Sequence, residues 1–246
     1  MKGTLTQNWL DRALGAVAPT WQLQRVRARI AADLVARHYE AADIGRRTQG
    51  WRRAAGDANA VNERSLAALR EHARDLVRNN GLAAQAVRTI ANHTVGYGIV
   101  AKPNPFDQAT HDAWKRWAES TDCDADGVDN FYGLEKLVMR TIAESGEVLV
   151  RRRWRKLTDG YALPFQVQVL EPDHLDTGKT QRLPNGGRII NGVEFDVLGN
   201  RVAYWLFPEH PGASGGLSIA SGSKRYDAAD VQHVFDRTRP GQVRSV

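Results

Sequence analysis

The sequence predicts an α+β fold in which helices come first and a mostly antiparallel sheet follows. From residue 63 to residue 144, apolar side chains recur every three or four positions, the period of helices with one buried face. After Gly146 the period changes to alternation, the pattern of strands with one buried face. Because helices and strands are segregated along the chain, the pattern favours α+β over alternating α/β.

Four helices are predicted before the sheet. The first ends at Gly81, which we interpret as a glycine C-cap, and the fourth ends at Gly146. The predicted helices are Glu63–Asn79, Leu82–Val95, Gln108–Glu119 and Phe131–Glu144. Their predicted inward residues are Leu66, Leu69, Ala73, Leu76, Val77, Ala86, Val87, Ile90, Leu134, Leu137, Val138 and Ile142.

Five strands are predicted after Gly146, two of them joined as a hairpin by Leu198-Gly199-Asn200. The stretch from Pro208 to Ser223 is rich in Gly, Pro and Ser and predicts a long exposed loop. The predicted strands are Glu147–Arg155, Phe165–Val169, Val193–Val197, Val202–Phe207 and Val231–Phe235. The large aromatic residues expected in the core are Trp114, Trp117, Trp205 and Phe207.

Residues 1–60 are predicted to form an N-terminal arm, separate from an α+β domain over residues 61–246. The first 20 residues have weak periodicity and indicate a mobile terminus. The spacing of apolar residues from Leu23 to Tyr39 predicts a basic helix within the arm.

Composition narrows the class of protein. With 42% hydrophobic residues in 246, the chain can bury one large or two small cores. A single cysteine, Cys123, excludes an internal disulfide and fits a reducing compartment. No run of 18 apolar residues and no signal peptide is present, so we expect a soluble intracellular protein without a membrane partner.

The net charge of +6 is carried mostly by arginine, with 27 Arg against 7 Lys. This bias favours a nucleic acid or an acidic protein as partner, although a GC-rich genome produces it too. Residues 25–53 carry eight arginines and three acids, net +5, whereas residues 119–147 carry eight acids and two bases, net −6. A basic and an acidic stretch in one chain suit head-to-tail contact between identical subunits.

The densest basic run lies on the first predicted strand. Alternation places Arg151, Arg153 and Arg155 on one face and Arg152, Trp154 and Lys156 on the other. Three interpretations stay open: a ladder that binds the phosphates of duplex DNA, a contact with a neighbouring subunit, or a solvated face.

A second basic group in the arm consists of Arg46, Arg47, Arg52 and Arg53, around Trp51. Aromatic residues at regular base-stacking spacing are missing from it, which argues against binding of single strands. We expect the arm to contact another subunit or the larger assembly that such subunits form.

Four strings imitate catalytic or ligand-binding motifs, and each lacks the context that its chemistry needs. The dinucleotide-type glycines follow a helix instead of a strand, and the phosphate-loop-like and serine-elbow-like strings have no helix after them. The calcium-like string lacks the acid at its twelfth position, so we expect a solvated turn. No catalytic residue, cofactor or metal site is therefore predicted. The strings begin at Gly96, Asp173, Gly212 and Asp122.

Several longer strings, in a fixed order, carry a resemblance to a known family. They are His38-Tyr39-Glu40-Ala41-Ala42, Gly45-Arg46-Arg47-Thr48-Gln49-Gly50-Trp51, Glu144-Ser145-Gly146-Glu147-Val148, Leu170-Glu171-Pro172-Asp173-His174-Leu175, Gly192-Val193-Glu194-Phe195-Asp196, Asp230-Val231-Gln232-His233-Val234-Phe235 and Arg239-Pro240-Gly241-Gln242. Together they resemble the lambda-type family of phage portal proteins.

The resemblance implies an arm and a portal wing-like domain, with the chain ending before the stem, clip and crown. It also implies a ring of about twelve subunits at one capsid vertex. Double-stranded DNA passes through such a ring, and the terminase and the neck and tail proteins dock on it. The location implied is the virion, with assembly in the host cytoplasm, and no enzymatic activity is implied. The alternative is a basic nucleic-acid-binding or scaffold adaptor that shares the wing.

Overall fold

The computed structural model divides the chain into two compact units, residues 1–54 and 55–246. It describes residues 56–63, 65–101, 107–213 and 222–245, together with four helical, exposed positions between residues 20 and 28. Most of the predicted arm, including most of the helix expected over Leu23–Tyr39, lies outside the described residues, and the arm stays a prediction.

The α+β prediction is confirmed, and in the described ranges five helices precede eight strands. The helix predicted over Gln108–Glu119 has the predicted bounds, and the others differ by a few residues at their ends. A short helix before Glu63 was missed. The helices are α1 (Ala58–Glu63), α2 (Leu66–Asn79), α3 (Gly81–Val95), α4 (Gln108–Glu119) and α5 (Phe131–Ser145).

The strands form two antiparallel sheets, with orders β2-β1-β8 and β3-β4-β5-β6-β7. All five predicted strands are present, and the hairpin between β5 and β6 is confirmed. The missed strands are short ones, β3, β4 and β7, with two to four residues each. The strands are β1 (Glu147–Trp154), β2 (Phe165–Leu170), β3 (Gln181–Arg182), β4 (Arg188–Ile190), β5 (Val193–Phe195), β6 (Arg201–Leu206), β7 (Lys224–Asp227) and β8 (Val231–Phe235).

The junction of α2 and α3 corrects one prediction. Gly81 is the first residue of α3 and not a C-cap. Asn80 has an extended backbone, and its amide hydrogen-bonds to Leu76 while its side chain accepts from the amides of Leu82 and Ala83. One asparagine therefore ends α2 and begins α3. At the end of α5, Gly146 is left-handed with φ 77°, as its predicted C-cap role requires.

The inward faces of α2 and α3 differ from the prediction. On α2, Leu66 is buried, but Leu69 and Leu76 are half-exposed, and the buried stripe continues through Arg70. On α3, Val87 is buried as predicted, whereas Ala86 and Ile90 are exposed. The leucine spacing predicts a stripe through Leu69 and Leu76, whereas the observed stripe contains Arg70, which pairs with a buried carboxylate.

The sheet of β2, β1 and β8 has a hydrophobic cluster on each face, because neighbouring residues of β1 point to opposite sides. Leu149 packs with residues of the five-stranded sheet, and Val150 packs on the side of the helices. Trp117 is buried in the helix-side cluster, and Trp114, Trp205 and Phe207 are partly buried. The buried members are Leu149, Leu175, Val193, Phe195, Tyr204, Leu206, Val231 and Val243 on one side and Trp117, Ala118, Cys123, Leu134 and Val167 on the other.

Candidate functional site: an arginine strand and a buried glutamate

The alternation predicted for the arginine run is observed on β1. Arg151, Arg153 and Arg155 are half-buried, whereas Arg152 and Trp154 are exposed. The predicted arm group, Arg46, Arg47, Arg52 and Arg53, lies outside the described residues and stays a prediction.

On the half-buried face, each guanidinium has a partner within the chain. Arg151 stacks on the ring of Tyr226 with 4.0 Å from Cζ to the centroid. Arg153 Nη1 donates to Gln168 Oε1 at 3.0 Å, and Arg155 Nε donates to Gln166 Oε1 at 2.6 Å. Partial burial and the like charges of Arg151 and Arg155 lower the pKa of Arg153.

On the exposed face, the partners come from the turn that precedes β8. Arg152 Nη2 donates to the carbonyl oxygen of Ala229 and lies 3.7 Å from the Asp230 carboxylate. Trp154 Nε1 donates to the same carboxylate at 3.3 Å. These contacts therefore attach neighbouring segments to β1, and the alternation along the strand did not predict the partners.

Glu147, the first residue of β1, is the centre of a buried charge cluster that the sequence analysis missed. Its carboxylate is fully buried and pairs with two buried arginines, Arg70 of α2 and Arg244 near the described end of the chain. Arg244 Nε lies 2.9 Å and Nη2 2.7 Å from Oε1. The other carboxylate oxygen lies 2.7 Å from His233 Nε2 and accepts from the amide of Ser245 at 3.2 Å.

Arg244 also bonds to the segment that follows β2. Its Nη2 donates to the carbonyl of Pro172 at 2.8 Å, and its Nη1 donates to Thr177 Oγ1 at 2.7 Å. Next to it, Arg74 of α2 pairs with Asp173 at 2.5 Å. The cluster thus joins α2, β1, β8, the segment after β2 and the described C-terminal segment.

The surroundings set the protonation states in the cluster. Burial alone would raise the pKa of Glu147, but Arg244, His233 and Arg70 outweigh it and lower the pKa to about 2. Burial, opposed by Glu147, lowers the pKa of His233. A neutral His233 then donates from Nε2 to Glu147 and accepts at Nδ1 from Arg201, 3.2 Å away.

This geometry is structural in character. The carboxylate is enclosed and occupied by donors on both oxygens, so it has no access to a substrate and no proton to transfer. Burial of Glu147 and of Asp124 also changes the interpretation of the acidic stretch, because two of its eight acids do not reach the surface.

The prediction of a solvated calcium-like turn is wrong for one residue. Asp124 is buried instead of solvated, and it accepts from the amides of Asp126, Val128 and Asp129 at 2.9 to 3.0 Å. Its oxygens therefore organise the turn. The dinucleotide-like string at Gly96 follows a helix instead of a strand. Among the described residues, no helix directly follows Thr180, which ends the phosphate-loop-like string. Ser214 of the serine-elbow-like string lies outside the described residues.

One group in the described part of the chain has side chains close enough to share a cation: Glu171, Asp173 and His210, with ligand atoms within 4.8 Å of one another. The guanidinium of Arg74 lies 3.2 Å from Glu171 and 2.5 Å from Asp173. A cation is already present as a side chain, so this group gives no reason to assign a metal site.

The comparisons with known proteins decide the family. Residues 44–246 match the family model described as phage portal protein, lambda family. The chain belongs to the lambda family of phage portal proteins. The resemblance found in the sequence is confirmed, and the family match covers both sheets and helices α1 to α5.

A curated relative of this portal-family chain is a probable portal protein of Halomonas phage phiHAP-1. It is 32% identical over 203 residues, which represent 77% of this chain and 38% of the relative. The matched part of the chain therefore spans well under half the length of that protein. In the described ranges, none of the helices has the length and apolar character to cross a membrane.

Several strings that carry the family resemblance meet at the Glu147 cluster. Glu147, His233 and the Pro172 carbonyl come from three different strings, and a fourth supplies Gln242, whose side chain donates to the Arg244 carbonyl at 2.9 Å. A charged residue directly before the apolar run from Val148 to Val150, and an arginine four positions after Leu66, were the signals that could have predicted this cluster.

Proposed function

We propose that this chain is part of a phage portal subunit, which forms a ring at one capsid vertex and has no enzymatic activity. Double-stranded DNA would pass through the ring, with terminase and neck and tail proteins docking on it. The supporting observation is the Glu147 cluster, which joins four of the family strings within one folded body. A ring subunit needs such a body because errors in subunit shape accumulate around a closed ring. The implied site of action is the virion, after assembly in the host cytoplasm.

For the arginines, we propose roles in shape and subunit contact instead of a grip on DNA. Arg151, Arg152 and Arg153 already bond to Tyr226, Ala229 and Gln168 of their own chain. A channel wall that bound phosphates tightly would oppose passage of DNA. For Arg46, Arg47, Arg52 and Arg53 we propose contact with a neighbouring subunit or the capsid.

The ring itself is tested by native mass. We expect the purified chain to self-associate as its concentration rises, giving closed rings or arcs of them in negative-stain images. Light scattering coupled to size exclusion measures the mass. A chain that stays monomeric at its highest soluble concentration would show that this part of the protein does not form the ring by itself.

The Arg152→Gln variant separates the portal proposal from the adaptor alternative. We expect its affinity for duplex DNA to stay within about twofold of wild type, with an unchanged salt dependence, because Arg152 is occupied by the chain itself. Fluorescence anisotropy over a series of salt concentrations measures the affinity and its salt dependence. The control is Arg116→Gln, at an exposed position of α4. A salt slope reduced by about 1 in Arg152→Gln alone would favour the adaptor.

A further inference from the structure

An open apolar groove lies on the helix side of the three-stranded sheet. Its volume is about 240 Å³, and it is bounded by the end of α3, by α5 and by β1 and β2. Its one charged lining residue is Glu135, whose Oε2 accepts from the amide of Ile99 at 2.7 Å. Ile99 stands at the groove and is 62% exposed. The lining includes Val95, Ile99, Phe131, Val138, Met139 and Val169.

The surface beside the groove is also short of charge. Arg88 is the one charged residue among the 15 of α3, and Ile90 and Tyr97 are exposed on and after this helix. The other exposed side chains of α3 are mostly polar but uncharged, as at Gln85 and Asn92. Few charged groups would therefore lose their water if an apolar partner covered this surface.

The hairpin of β5 and β6 has an apolar tip that is exposed to solvent. Val197 is 71% and Leu198 87% exposed, although turns of this kind are usually polar. The turn is rigid, because Asn200 donates to the Asp196 carboxylate at 2.8 Å and the Asp196 amide donates back to the carbonyl of Asn200 at 3.0 Å. The backbone that carries the two aliphatic side chains is therefore held in one conformation.

The tip and the groove belong to opposite sides of the molecule. The hairpin is part of the five-stranded sheet, which packs on one face of β1, and the groove contains Val150 and Val167, which face the other way. The two cannot meet within one copy. Two different, complementary surfaces on one chain produce a head-to-tail contact, which closes into a ring when the rotation between copies allows it.

The sizes and charges of the two surfaces favour contact between the hairpin tip of one copy and the groove of another. An apolar cavity of about 150 Å³ accommodates a benzene ring, so a groove of 240 Å³ has room for the side chains of a valine and a leucine. Arg188, Arg201 and Arg237 line a cavity beside the hairpin, against Asp57 in that cavity and Asp196 in the turn itself, a balance of +1. Glu135 gives the groove a charge of −1. Opposite charges would therefore face each other around the apolar contact.

We propose that Val197 and Leu198 of one copy insert into the Ile99 groove of the next copy. This inference rests on the proposed ring and names the surfaces through which consecutive subunits meet. The contact is the rigid tip in the apolar groove, with the arginines beside the hairpin near Glu135.

Two single variants of the full chain and their mixture test the contact. Leu198→Asp damages the tip and Ile99→Asp damages the groove, and each should weaken self-association by about 30-fold or more. Mixed in equal amounts, they still offer one intact tip and one intact groove, so 1:1 dimers should reappear. Sedimentation velocity measures both results, and circular dichroism checks that each variant is folded. The control is Leu157→Asp, at a position 82% exposed and outside both surfaces, which should associate like wild type.

The experiments distinguish a failure of the proposed ring from a failure of the proposed contact between tip and groove. If wild type and both variants associate equally, or the mixture forms no dimers, the contact is overturned while the ring stands. If wild type does not associate, the ring proposal fails for this chain, and thiol cross-linking of Leu198→Cys copies to Ile99→Cys copies decides the contact. Cys123 does not interfere, because it is buried and burial raises the pKa of its thiol to about 11. Cross-links in that mixture but not with Leu157→Cys copies would support the contact, and their absence would overturn it.

Discussion

Replacing Glu147 with alanine should lower the free energy of unfolding by about 3–5 kcal/mol, because it leaves two buried arginines without their counter-ion. The guanidinium groups of Arg70 and Arg244 would keep their desolvation cost and lose the attraction that offsets it. The amide of Ser245 and the ring of His233 would also lose an acceptor. Urea unfolding followed by tryptophan fluorescence measures the change.

Two controls identify the cause of that loss. Glu71→Ala on the exposed side of α2 should stay within about 0.5 kcal/mol of wild type. A chain in which Glu147, Arg70 and Arg244 are all replaced by apolar residues should recover part of the loss, since no buried charge then remains unpaired. Should Glu147→Ala fail to fold, Glu147→Gln provides a milder version. A loss below about 1 kcal/mol in Glu147→Ala would contradict the central role of this carboxylate.

Local sequence signals predicted the order of elements well because they depend on near neighbours in the chain. The change of period at Gly146 located the boundary between helices and sheet, and β8 has its predicted bounds. The short strands β3, β4 and β7 gave no periodic signal over two to four residues. Their pairing depends on neighbours across the sheet, which a local pattern does not contain.

The site was less predictable than the fold because its contacts are distant in sequence. Glu147 bonds to partners 77, 86 and 97 positions away. The pattern on α2 favoured Leu69 and Leu76 as buried residues, since an arginine is rarely buried unless it is paired. Arg70 is buried because its partner lies on β1, and Leu69 and Leu76 are consequently turned outward. The faces of Arg151, Arg152 and Arg153 were predicted from alternation, but their partners were not.

Acid should weaken the fold through the same cluster. The pKa of Glu147 is about 2 in the folded chain and near 4.5 when unfolded, so its stabilisation is complete above pH 4.5 and is lost as the pH falls toward 2. This difference corresponds to about 3 kcal/mol. His233 acts in the same direction: its folded pKa lies below 6.5, so below that pH the unfolded chain binds a proton more readily than the folded chain.

The comparison of wild type with Glu147→Gln isolates this effect from other acids. Asp173 also has a lowered pKa, since its pairing with Arg74 outweighs burial, but it is present in both chains. The stability of wild type should therefore fall more steeply than that of Glu147→Gln between pH 5 and pH 2 in urea titrations at each pH. Parallel curves would show that Glu147 titrates alike in the folded and unfolded chains. A steeper wild-type curve would show that protonation of this one carboxylate destabilises the fold, in which it binds Arg244 and Ser245 of the described C-terminal segment.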